Sequence, residues 1–306
     1  VIQGIGINAD SNRIDGNLSV LAEDLQKFLE AGFDYVEIAA HSLDVMIHGK
    51  LVPSRLKEVK KLLSSFNLKY TLHGPDPVNL MDPVYGSLHE QVLSSCLELG
   101  SEIEAGILVY HCGHVVRPPG MDDGAYAAKY AERQAWERDA LSRLGDRARE
   151  LGITICVENA LYTPEVFSPG DPFSAARVDH LVSHVQQIGH GSVQICLDVG
   201  HAHISANVLG FDLTAAVRQA QPHVRHLHLH DNFGLFDPGQ HRGAINQLPF
   251  GYGDLHLSPG EGNIPYDVLK ADLRACAAVA LVELSPRYQT PERLRSTADY
   301  LRVNFM

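Results

Sequence analysis

Nine side chains able to bind a divalent cation stand at or just past the ends of successive apolar runs. They are His73 in YTLHG, His111 in LVYHC, Glu158 in ICVEN, Asp198 and His201 in CLDVGH, His228 in HLHLHD, Asp254 and His256 in GDLH, and Glu283 in LVEL. Imidazoles and carboxylates drawn from many parts of a chain onto one rim are first of all ligands for metal ions. Glu158, Asp198 and Glu283 make the point most sharply. Each closes an apolar run, where a lone carboxylate is very costly to bury, and none has a Lys or Arg beside it in sequence. A cation must come from elsewhere, and a metal is the economical source. Asp198 and His201, three apart at the exit of a run, can face neighbouring centres. Asp254 and His256, two apart, would project to one side of an extended loop.

The elements that carry these residues repeat. Strands are predicted near 2–8, 34–39, 69–73, 106–112, 153–158, 193–198, 224–230 and 279–284. Amphipathic helices are predicted near 18–31, 54–66, 86–100, 122–151, 173–189, 205–220, 264–276 and 290–303. The strands are rich in Val, Ile and Leu without alternating polarity, as expected of a parallel sheet covered on both faces. Eight β-then-α units predict a (β/α)8 TIM barrel spanning residues 1–306 as a single domain, with its chemistry at the strand C-termini. A doubly wound sheet would not spread its site over so many strands. Two loops are long, 113–121 and 231–263, and loops of that length in a compact domain commonly cover or bind.

Other residues admit blander readings. His226, His228 and His230 alternate along one strand face, and His228 or His230 is close enough to the rim to ligate. His114, His203 and His241 read as polar loop residues. Glu37 ends the second strand and either hydrogen-bonds at the rim or contacts substrate. The turn Gly260–Glu261–Gly262 serves backbone geometry, or lets a phosphate approach the helix that follows. The five cysteines are odd in number and form no CxxC. They read as buried thiols of a cytoplasmic protein, with Cys112 an incidental neighbour of a metal at His111. The net charge of −12 and the lack of a basic stretch interleaved with aromatics argue against a duplex nucleic-acid partner. No apolar run reaches the ~18 residues needed to cross a bilayer, and VIQGIGINAD reads as a strand rather than a signal peptide.

Taken together, the motifs resemble the xylose-isomerase-like TIM-barrel superfamily over nearly the whole chain. Within it the ligand pattern is most similar to the apurinic endonuclease IV branch. The matching stretches are His73 in LHGPDPVNL, His111, Glu158–Asn159, Asp198-x-x-His201, His228 in LHLHD, Asp254-x-His256 before Gly260–Glu261–Gly262, and Glu283. The resemblance selects His228 over His230. It implies three divalent ions, Zn, Mn or Fe. His73, His111 and Glu158 would hold one. A bridging Glu158 with Asp198, His228 and Glu283 would hold the second, and His201, Asp254 and His256 the third. The implied chemistry is metal-dependent hydrolysis of a phosphoester, with Glu158, Glu283 and His201 as catalytic residues. Asp76 stands near where that branch places a wedge aromatic, and the loop AAHSLDVMIHGK lacks its basic-aromatic pattern. The expected substrate is therefore a small sugar phosphate or phosphodiester rather than duplex DNA. The alternative is a sugar or sugar-phosphate isomerase or epimerase of the same superfamily. It would use one divalent metal, with Glu158 and Glu283 moving protons and His201 touching substrate.

Overall fold

The computed structural model describes residues 1–162, 175–237 and 244–306. Eight parallel strands close into a barrel in sequence order: β1 (Gly4–Ala9), β2 (Tyr35–Ala39), β3 (Lys69–His73), β4 (Ile107–His111), β5 (Thr154–Glu158), β6 (Val193–Asp198), β7 (Val224–Leu229) and β8 (Val279–Val282). Around them pack α1 (Leu18–Ala31), α2 (Pro53–Leu63), α3 (Gly86–Glu102), α4 (Asp123–Leu151), α5 (Val178–Ile188), α6 (Val199–Leu209), α7 (Leu213–Ala220), α8 (Tyr266–Arg274) and α9 (Pro291–Phe305). The (β/α)8 architecture is thus as expected.

Alternation along the strands sorts the chemistry. One set of positions, including Ile5, Ile7, Val36, Ile38, Leu108, Ile155, Val157, Leu197, Leu227 and Val282, joins the large apolar core that seals barrel to helices. The other set faces the barrel axis. Low in the barrel it includes Val109, Cys156 and Cys196. Nearer the C-terminal rim it turns polar, ending in His111, Glu158, Asp198 and His228. The register keeps these ends level: His111 pairs with Glu158, and Asp198 with His228. The uniform apolarity read from sequence therefore holds for the helix-facing positions but not for the upper barrel axis. All five cysteines are free and buried. Among the described residues, no helix is long and apolar enough to cross a membrane.

The structure refines several local expectations. The helix expected at 205–220 is two helices, and the first starts directly after β6. Asp198 is its N-cap, its side chain accepting from the His201 backbone N–H, and Gly210 at φ 70° closes it. Asp212 then caps α7. The loop after β2 contains a 3-10 turn, Ala40–Leu43, and a small antiparallel ribbon pairing Met46–Ile47 with Lys50–Leu51. Of the expected helix at 173–189, the described part begins at Val178, and 173–174 lie outside the described residues. The described part of the 231–263 loop is tied down rather than open, with bridges Asp231–Leu257 and Leu235–Tyr252 and a single-turn helix, Ala244–Gln247.

Candidate metal centre

The deepest part of the site is organised around the His228 ring. Its Nδ1 lies 3.4 Å from Glu158 Oε1, 3.5 Å from Glu283 Oε1 and 3.9 Å from Asp198 Oδ2. Its other nitrogen, Nε2, sits 3.0 Å from Glu37 Oε1. That approach is close but not aligned as a hydrogen bond, since both ring nitrogens are buried without one among the described residues, and Nδ1 faces three carboxylates. Glu37 is itself fixed from below by Thr71 Oγ1 at 3.1 Å and His226 Nε2 at 2.9 Å.

Two further histidines approach Glu158 from the neighbouring strands. His73 Nε2 and His111 Nε2 are 3.5 and 3.3 Å from Glu158 Oε2. The Nδ1 of His73 faces the Gly74 carbonyl at 2.7 Å, which again leaves Nε2 for the site. On the opposite flank, Asp254 is ringed by imidazoles. Its Oδ2 is 2.6 Å from His256 Nε2 and 3.3 Å from His201 Nε2, and its Oδ1 is 3.3 Å from His230 Nδ1. Asp254 and His256 meet through a turn rather than an extended loop, since His256 adopts φ 49° in the left-handed region. All nine expected ligands thus share one rim.

Three observations fit this constellation to a divalent ion. Ligand atoms about 2.0–2.2 Å from one ion lie ~3.0–3.5 Å from each other, which is the spacing of Glu158 and Glu283 from His228 Nδ1, with Asp198 wider at 3.9 Å. Glu158 Oε2, His228 Nδ1, His230 Nδ1 and Asp254 Oδ1 are buried without a hydrogen-bond partner among the described residues, a costly state unless something else binds them. His73 and His201 each have their other nitrogen on a backbone carbonyl, the usual arrangement behind a ligating imidazole.

Without an ion the same groups hold one another charged. Burial works against the His73 cation, but Glu158 and Glu37 outweigh it and push the ring up to about 9. Burial likewise opposes His256, and Asp254 pushes it to about 9. Burial opposes the Glu158 anion too, but His228 and His111 hold it well below the usual range. The signs fix a window. A raised imidazole contributes stability that is complete below its ordinary 6.5 and lost as pH rises through about 9. The depressed Glu158 contributes above its ordinary 4.5 and loses that contribution on acidification. The metal-free protein is therefore expected to melt at progressively lower temperature from pH 6.5 to 9. The metal-loaded protein should melt at a nearly constant temperature there, because bound imidazoles carry no proton on the ligating nitrogen. A flat melting profile for chelator-treated protein across that window would refute this.

A family model described as a xylose isomerase-like TIM barrel matches residues 25–303. The chain belongs to that family. An uncharacterised protein of Methanocaldococcus jannaschii is 26% identical over 280 residues, covering 88% of this chain and 87% of its own. Among solved structures, a D-tagatose 3-epimerase-like protein superposes with a TM-score of 0.71 at 20% identity, covering 99% of this chain and 97% of its own. An IOLI protein with a binding zinc atom superposes with a TM-score of 0.66 at 18% identity, covering 99% and 98%. At these identities the structures speak for the fold. They do not carry the narrower resemblance to the endonuclease IV branch.

In this xylose isomerase-like barrel the structure adds residues that the sequence reading passed over or left open. Glu37 lines the cavity and braces His228. Asn159 stitches two ligand strands together. Its Nδ2 donates to the Asp198 carbonyl at 2.9 Å, and its Oδ1 accepts from the Asp198 N–H at 2.8 Å. His230, set aside in favour of His228, is fully buried with Nε2 3.2 Å from both Asp198 oxygens. Gly200 makes room for it, since a Cβ there would stand 1.9 Å from His230 Cε1. Adjacent strand histidines were readable as a set, but their separate partners were not. Cys112 turns away from His111 towards Glu137, 3.6 Å distant. His203 is not a loop residue. It lies on α6 with Nε2 2.9 Å from Asn263 Oδ1. His114 is in a loop as expected, where its backbone binds Asn79, and His241 lies outside the described residues. The phosphate reading of the glycine turn is also corrected. The Gly260 and Ile264 N–H groups donate to the buried Asp231 carboxylate at 2.7 and 3.1 Å, so those donors are taken. The glycines serve geometry: Gly260 has φ 95°, and a Cβ on Gly262 would fall 2.3 Å from the Asn232 carbonyl.

Proposed function

We propose that the protein is a metal-dependent sugar isomerase or epimerase that moves a proton between Glu158 and Glu283. The observation that carries this is the convergence of both carboxylates on His228 Nδ1, at 3.4 and 3.5 Å. Glu283 follows β8, adjacent to β7 on one side. Glu158 ends β5, two strands away on the other. A substrate carbon between them meets an acid–base group on each flank, as inversion of a carbon bearing hydrogen requires. Glu158, Asp198, His228 and Glu283 would hold one divalent ion, which when bound polarises a carbonyl and its neighbouring hydroxyl and so acidifies the intervening C–H. One glutamate takes that proton and the other returns one, to the opposite face in epimerisation or to the adjacent carbon in isomerisation. His201, lining the same cavity, would orient a sugar hydroxyl.

The cavity supports a small, uncharged substrate. It encloses about 260 Å³, at or below the small end for ligand sites. Among the described residues lining it there is no Lys or Arg, the side chains that usually grip phosphate. With the net charge of −12, this also favours a free sugar over nucleic acid. The relative named a D-tagatose 3-epimerase-like protein supports the same reading, and the one bearing zinc supports a divalent metal. The five buried thiols fit a reducing cytoplasm.

A second reading has one observation of its own. Asp254 with its three imidazoles, and His73 with His111, supply ligands that a single ion does not need. These would suit a phosphoester hydrolase with up to three ions. Elemental analysis and turnover on ketoses and phosphodiesters separate the two. The proposed reading expects ketose conversion with one tightly held equivalent of metal. Three equivalents with phosphodiester cleavage and no ketose turnover would replace it by the second.

A further inference from the structure

A second cavity of about 350 Å³ lies beside the metal-lined one on the same rim. Its walls are mostly hydrocarbon: Val45, Met46, Val78, Leu88 and Val92. They come from the segment after β2, the loop after β3 and the first turns of α3. The two cavities share a boundary. His41 lines both, and Asp76 faces the metal-lined cavity while its neighbours Pro75 and Pro77 face the second. The ribbon forming one wall is anchored. Ser95 Oγ on α3 donates to the Gly49 carbonyl at 2.8 Å. At Gly49, with φ 69°, a Cβ would come 3.2 Å from Gln91 Cγ. The ribbon wall is thus fixed to α3 by that hydrogen bond and by the close backbone approach that glycine allows.

We infer that this annexe binds an aliphatic substituent carried by the substrate whose sugar end occupies the metal-lined cavity. The inference rests on reading that cavity as a sugar site. Continuity through His41 and the Pro75–Asp76–Pro77 segment argues for one ligand spanning both spaces. The lining argues for its character. The polar residues lining it are His41, Asp44, His48 and His89, with no Phe, Tyr or Trp to stack on a second sugar ring and no Lys or Arg among the described lining residues, so most of the wall is aliphatic. Aliphatic side chains gain most from covering aliphatic surface. The substrate class is then an alkyl-substituted sugar.

The test compares 6-O-methyl- and 6-O-n-hexyl-D-fructose, ethers that leave the anomeric centre free to open to the ketose, by titration calorimetry on metal-loaded protein. Wild type is expected to bind the hexyl compound ~10-fold or more tightly than the methyl compound, from partial burial of the added methylenes. Leu88→Trp, which fills the annexe, and Met46→Lys, which makes it polar, should each bring that ratio close to one. Either variant suffices if the other fails to fold by circular dichroism. A ratio near one in wild type, or an undiminished ratio in both variants, overturns the inference. Ketose turnover with no hexyl preference would leave the sugar chemistry standing without the annexe. A hexyl preference abolished by the variants, in protein that converts no ketose, would leave the annexe standing and remove the sugar chemistry.

Discussion

Glu283→Gln and Glu158→Gln are each expected to lower ketose turnover at saturating metal by ~10²–10⁴-fold, the range general acid–base catalysis supplies. Glutamine keeps the shape and one oxygen for an ion but cannot take or give a proton. The loss should therefore fall on kcat, with the metal bound, rather than on KM alone. The two variants should also differ from each other in heavy water. If each glutamate serves one face of the sugar, Glu283→Gln should still wash deuterium into one epimer while Glu158→Gln washes it into the other. Mass spectrometry of recovered substrate reads this directly. Retained turnover in either metal-loaded variant, or identical exchange in both, would exclude the two-carboxylate mechanism.

Glu137→Ala is expected to destabilise the fold by about 3–5 kcal/mol, because it leaves several buried donors unsatisfied at about 1–3 kcal/mol each. Glu137 lies on α4, fully buried. One oxygen accepts from Tyr110 Oη at 2.7 Å and from the Gly113 N–H at 2.6 Å. The other lies 2.9 Å from His184 Nε2 on α5 and 3.6 Å from Cys112 Sγ. Burial opposes its charge, but His184 and Tyr110 hold the carboxyl below its usual range. Alanine would strand these donors in the core. Glutamine, which retains one acceptor, should cost less. Because the residues it gathers flank His111, metal affinity should fall along with stability. Denaturant titration of both variants is the measurement, and an alanine variant within ~1 kcal/mol of wild type would contradict the argument.

The sequence alone determined the barrel and which residues end its strands. Both follow from local facts: the hydrophobic period of each segment, and a polar residue closing each apolar run. That is why His73, His111, Glu158, Asp198 and Glu283 were legible one by one, whereas the residues alone left His228 and His230 open and the family resemblance chose between them. Asp254 and His256 lie in a long loop. Their resemblance to a ligand pattern flagged them, but the left-handed turn at His256 that joins them was not readable. Tertiary structure decided the partnerships. The carboxylate that stands behind His228 is Glu37, 191 positions earlier in the chain. Whether His230 belongs to the site depends on the space left at Gly200 and on Asp254. The Glu137 clamp was hidden inside the long helix α4, because burial depends on what packs against a face and not on its composition. The annexe is likewise a property of three separate segments meeting. Short-range order sets which residues reach the rim. Only closure of the barrel sets which atoms come within 3–4 Å, and ligand sets, tautomers and cavities are made at that distance.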